Sequence, residues 1–148
     1  MFKKILVPLD GSTFSEAVLP YVVELARAHQ ADVELFCVSV ITLPLYPLES
    51  PIEFEALVRE EERQIRGYLD EQAAKLSGQG VAVTTAVGRG SVPEAILNRA
   101  SAIKADLIAM STHGRSGISR WLMGSVADRV LHGAHVPVLL VRPEEMRH

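Results

Sequence analysis

The residues with the most chemical potential are Ser111-Thr112-His113-Gly114-Arg115-Ser116-Gly117 and, after an interval, Gly124-Ser125, with nine residues between Gly114 and Gly124. This stretch offers hydroxyls, a guanidinium and glycines whose backbone can approach a ligand closely. It leads into a helix start whose free N–H groups favour an anion, and the combination suits a polyphosphate. Near the amino end, Asp10-Gly11-Ser12 closes an apolar run. Asp10 can accept hydrogen bonds from ribose hydroxyls or hold a Mg²⁺ ion bound to phosphates.

Each feature also has a plainer reading. Asp10-Gly11-Ser12 suits a turn with an N-cap, Gly114 and Gly117 suit loop punctuation, and Gly124-Ser125 suits an ordinary helix start. Gly88-Arg89-Gly90-Ser91 lacks both the GxGxxG continuation and a Walker lysine, and is expected to be a turn plus a cap. His132 and His135 have no further metal ligands nearby in sequence, and a solvent-facing or dipole-compensating role at a helix end is expected. Asp10, His113 and one of Ser12, Ser111 or Ser125 could be drawn as a hydrolytic triad, but no G-x-S-x-G elbow presents a nucleophile. Trp121 is expected to pack.

Positioning such residues requires a regular scaffold, and the apolar patterning supplies one. Lys4–Leu9, Val33–Val40, Val81–Val87, Asp106–Met110 and Val136–Val141 are short apolar or β-branched runs of the kind buried in a parallel sheet. Between them lie helical patterns. Thr13 and Glu16 form a capping box before a helix reaching His29, in which Pro20 predicts a kink or an irregular early turn. The stretch Ile41 to Pro51, with Pro44, Pro47 and Pro51, is expected to be a loop. A long helix follows from Ile52 to a glycine C-cap at Gly78 or Gly80. Ser91 and Glu94 form a second capping box with Pro93 in the first turn, and a last helix begins near Gly124-Ser125 and includes Val126, Val130 and Leu131. Alternation at this spacing predicts right-handed crossovers: a single-domain α/β fold over residues 1–148, with a doubly wound five-stranded parallel sheet, Rossmann-like and of flavodoxin size. In such sheets ligands bind beyond the carboxyl ends of the strands, where strand order reverses. Both chemically loaded loops fall at such ends.

Composition narrows the classes. With 148 residues, 48% apolar and 22% charged, the chain can bury a core without staples. Aromatics are 5%, so that core is aliphatic. Fifteen basic against 18 acidic residues, with no basic block, give no electrostatic case for nucleic acid or a membrane as partner. The single cysteine, Cys37, sits in an apolar run and is expected to be an inert buried thiol. The chain enters its first strand directly and has no apolar run of about 18 residues, which leads to an expected cytoplasmic location.

Ile5-Leu6-Val7-Pro8-Leu9-Asp10-Gly11-Ser12, Ala105–Met110, Ser111-Thr112-His113-Gly114 with its later Gly124-Ser125, and Val136–Val141, taken in this order, resemble the UspA-like universal stress protein family over essentially the whole chain. The ATP-binding branch of that family carries Gly, two residues, Gly, nine residues, Gly, then Ser or Thr. Gly114, Gly124 and Ser125 match, while Ser111 stands in place of the first glycine. The resemblance implies ATP as ligand, with or without Mg²⁺. Pro8, Leu9, Asp10 and Val38 would face adenine and ribose; Ser111, His113, Gly114, Arg115, Gly124, Ser125 and Val126 would surround the phosphates; Met110 would close one side. It also implies a homodimer through Val138, Leu139, Leu140 and Val141. The expected function is ATP-dependent regulation in stress physiology with little or no turnover. The alternatives are a slow ATPase or phosphotransferase and a nucleotide-free dimeric scaffold.

Overall fold

A computed structural model describes residues 1–40, 47–112 and 124–143. The chain runs β1 (Lys4–Pro8), a short 3-10 turn (Ser15–Val18), α1 (Leu19–His29), β2 (Asp32–Ser39), α2 (Pro51–Ser77), β3 (Ala82–Arg89), α3 (Val92–Ala102), β4 (Leu107–Ser111), α4 (Ser125–Gly133) and β5 (Val138–Val141). The five strands form one sheet in the order β3-β2-β1-β4-β5, with every pair parallel. This is the doubly wound fold expected from the alternation of strands and helices.

Successive residues of a strand point to opposite faces, and the core divides accordingly. Ile5 and Val7 of β1 and Val33 and Leu35 of β2 face α1 and α2, packing with Val22, Leu69 and Leu76. Leu6, Phe36, Ile108 and Met110 face the other layer and pack with Ile96 and Ala100 of α3 and Ala127 and Val130 of α4. Ile5, Leu6, Leu35 and Ile108 are fully buried, which explains the near-continuous apolar runs of the central strands.

Strand order reverses between β1 and β4. The two strands are set side by side at their starts by Asp106, whose carboxylate accepts the backbone N–H groups of Lys3 at 2.8 Å and Lys4 at 3.2 Å. Their carboxyl ends separate into the loops that carry Asp10 and Thr112.

Several local readings change. Pro20 lies in the first turn of α1, where its missing N–H costs no bond; the irregular early turn expected there is the 3-10 segment. The Thr13–Glu16 capping box does not form, because Glu16 instead accepts a hydrogen bond from the Tyr68 hydroxyl of α2 at 2.6 Å. Gly78 caps α2 with an ordinary right-handed backbone, and Gly80, at φ +84°, is the left-handed residue. Gly88 and Arg89 belong to β3 rather than to a turn; the turn is Gly90, at φ +94°. Ser91 is the N-cap of α3, but its hydroxyl donates to the Glu94 carboxylate and accepts no backbone N–H. Residues 136 and 137 precede β5, which starts at Val138. Within the proline-rich connection, 41–46 lie outside the described residues; Ser50 caps α2 by accepting from the Glu53 N–H at 3.2 Å.

Candidate functional site

The carboxyl ends of β1 and β4, with β2 beside them and the start of α4 above, enclose a cleft of about 270 Å³. Of the residues expected at a ligand, Pro8, Leu9 and Asp10 line it from the end of β1, Val38 from β2, and Met110 and Ser111 from β4. Gly124, Ser125 and Val126 line it from the start of α4. His113, Gly114 and Arg115 lie outside the described residues, as does Trp121.

Six further residues line the same cleft: Ser15, Phe36, Val92, Ile96, Thr112 and Ala127. Four are apolar and look like core in sequence. The signal that could have found Phe36 is its spacing two residues before Val38, which puts both side chains on one face of β2.

Asp10 is held by a local network. One carboxylate oxygen, Oδ1, accepts from the Ser12 N–H at 2.9 Å and from the Ser12 hydroxyl at 2.6 Å. The Ser15 hydroxyl donates to the Ser12 carbonyl at 2.8 Å and accepts the Asp10 N–H at 3.2 Å. The loop is therefore ordered by its own serines, with the exposed carboxylate at the cleft mouth. Asp10 is the one charged residue among the described residues of the lining.

On the opposite wall, the Ser111 hydroxyl donates to the Ser15 carbonyl at 3.1 Å in a buried contact. Ser111 belongs to β4 and is absent from the non-glycine residues of positive φ, which among the described residues are Gln30 and Lys104. The position thus makes no demand for glycine. Gly124 is different: its φ is +70°, and a Cβ there would stand 2.8 Å from the Thr112 carbonyl. Gly124 is the N-cap of α4, so its glycine lets the start of that helix close against the end of β4. Thr112 Oγ1 is buried and has no hydrogen-bond partner among the described residues.

Cys37 lies on the far side of β2. Burial, reinforced by the negative charges of Asp10 and Glu61, pushes its thiol up to about 11, as expected for an unreactive sulfur. His132 Nδ1 lies 2.8 Å from the Asp128 carbonyl and 3.5 Å from its carboxylate, at the end of α4. Among the described residues no group of three or more His, Cys, Asp or Glu side chains could hold a metal, and no helix is long and apolar enough to cross a membrane.

A doubly wound α/β domain with a cleft at its switch point defines a broad class, and comparison with known proteins narrows it. The model of the universal stress protein family matches residues 1–142. The chain belongs to the universal stress protein family. A universal stress protein of Methanocaldococcus jannaschii is 34% identical over 144 residues, covering 96% of this chain and 83% of its own. Among solved structures, a universal stress protein of Lactobacillus plantarum aligns with a TM-score of 0.79 at 23% identity, covering 95% of this chain and 98% of its own. A family protein of Arabidopsis thaliana, solved with AMP bound, aligns with a TM-score of 0.69 at 17% identity, covering 95% and 91%.

Proposed function

We propose that this chain is a regulatory nucleotide-binding protein that holds ATP in the β1–β4 cleft with little or no turnover. The observation that carries the reading is the cradle at Gly124. Its left-handed backbone and missing Cβ allow the start of α4 to close on Thr112, and the first turn of a helix has N–H groups without intrahelical partners that can serve phosphate oxygens. The buried Thr112 hydroxyl, unpartnered among the described residues, is a further donor at the same wall. Such a group is costly when left unsatisfied. Ser111, Gly124, Ser125 and Val126 would lie toward the phosphates, together with His113, Gly114 and Arg115. Pro8, Leu9, Asp10, Val38 and Met110 would lie toward the nucleoside. The AMP-bound relative supports an adenine nucleotide as the ligand class.

Binding without fast turnover is favoured over a phosphotransferase. The described lining holds one carboxylate and no lysine, whereas phosphoryl transfer usually needs a cationic or metal clamp and a residue that orients the nucleophile. If Mg²⁺ accompanies ATP, Asp10 is the described carboxylate that would face it. We further propose a cytoplasmic homodimer built on the edge strand β5. Native mass spectrometry of the freshly purified protein tests the nucleotide reading: a co-purified adenine nucleotide is expected. A nucleotide-free protein that also fails to take up added ATP would instead mark a scaffold.

A further inference from the structure

Phe36 lies in β2 with its ring on the cleft side of the sheet and lines the cleft, although it is only 3% exposed. A ring of that size needs room on the neighbouring strand, and β3 provides it at Gly88. Ala86 pairs with Phe36 and Gly88 pairs with Val38, so Gly88 shares the face on which Phe36 projects. A Cβ on Gly88 would fall 2.9 Å from Phe36 Cε1 and closer still to Cζ.

Nothing in the backbone asks for glycine there, since Gly88 is not among the glycines of positive φ. Glycine inside a strand weakens it and marks a close approach; here the approaching group is the ring. Leu6, Ile96 and Met110 pack in the same cluster and are 0%, 1% and 6% exposed. A ring displaced from Gly88 has closed packing on those sides, and the open direction is the cleft.

Resting on the nucleotide reading above, we propose that Phe36 and Gly88 act as a pair that sets the base-binding end of the cleft. Gly88 holds the ring back against β3. Phe36 then forms, with Val38, Val92 and Ile96, an apolar wall that takes the flat face of a purine, because apolar and aromatic walls suit a planar heterocycle. Adding a side chain at position 88 drives the ring into the space of the base.

Calorimetric titration of ATP into wild type, Gly88→Ala, Phe36→Leu and the double variant tests the pair. Phe36→Leu is expected to lose about threefold in affinity, through lost ring contact, and Gly88→Ala at least tenfold. The double variant is expected to match Phe36→Leu, because a shorter side chain no longer needs the space. Wild-type affinity in a folded Gly88→Ala protein, or losses that simply multiply in the double variant, would overturn the proposal. Should Gly88→Ala not fold, the double variant and Phe36→Leu decide: equal affinities support the pair, and a further tenfold loss overturns it. A wild type that binds no ATP would refute the nucleotide reading itself, a result distinct from these.

Discussion

The hydroxyl of Ser111 at the end of β4 donates to the carbonyl of Ser15, 96 residues earlier, across 3.1 Å of buried space. The bond ties the two walls of the cleft together, since Ser15 also orders the Asp10 loop. Ser111 is thus part of the cleft's framework. Ser111→Ala should lower unfolding stability by about 1 kcal/mol, the usual net value of one such bond. Ser111→Gly should not raise ATP affinity, because the position has no left-handed backbone to relieve. Chemical denaturation and calorimetry check the two outcomes; a tenfold gain in affinity on introducing glycine would contradict this account.

Asp10 sits at the mouth of the cleft with Oδ1 engaged by Ser12. Asp10→Asn keeps an acceptor for Ser12, so the loop should persist while the negative charge is lost. If the carboxylate serves the ribose hydroxyls, ATP, ADP and AMP should all weaken by similar factors, about tenfold for the loss of a charge-assisted bond. A loss confined to ATP would indicate metal coordination at the phosphates instead.

Cys37 gives a pH signature. With its thiol raised to about 11, mainly by burial, the thiolate at pH 8 is roughly one part in a thousand. Labelling by a disulfide reagent should be slow in the native protein at pH 8, rise about tenfold per pH unit toward pH 10, and become fast on unfolding. Because the folded value lies above the ordinary value of 9.0, this group's contribution to stability is complete below about pH 9 and is lost as pH rises toward 11. Rapid labelling of folded protein at pH 8 would show the thiol to be accessible and activated.

Among the described residues β5 is an edge of the sheet, paired with β4 on one side. Val138, Leu139 and Leu140 are only partly buried, while Val141 is buried. An unpaired edge of this kind invites a second chain, and a two-fold contact closes after two subunits. Light scattering should give a dimer for the wild type and a shift toward monomer for Leu139→Lys or Leu140→Lys, with circular dichroism confirming the fold. Unchanged dimers in both variants would place the interface elsewhere.

The alternation of apolar runs with helical patterns made the sheet and its layers legible, because strands buried on both faces must be apolar throughout. Asp10 and Ser111 stood out by type and position at strand ends, and Gly124 by its place at a helix start. Phe36, Val92 and Ile96 did not, since an apolar residue lining a cleft and one filling a core look alike in sequence; only the spacing of Phe36 from Val38 gave a signal, and Val92 and Ile96 needed the fold. Gly88 looked like turn punctuation because its purpose, room for a ring on the neighbouring strand, depends on the β2–β3 register. Pro20 looked like a helix interior because the 3-10 segment before α1 could not be told apart from a first helical turn. The Thr13–Glu16 box failed for a tertiary reason: Tyr68, 52 residues away, takes the glutamate.

The central claim is that ATP phosphates lie over the Gly124 cradle, and calorimetric titration of ATP into wild type and Gly124→Val tests it most directly. At φ +70°, with the Thr112 carbonyl 2.8 Å from any added Cβ, a β-branched residue must push the start of α4 away from β4. The account predicts a measurable ATP affinity in the wild type that disappears in a folded Gly124→Val protein. Undiminished affinity in that variant would contradict it.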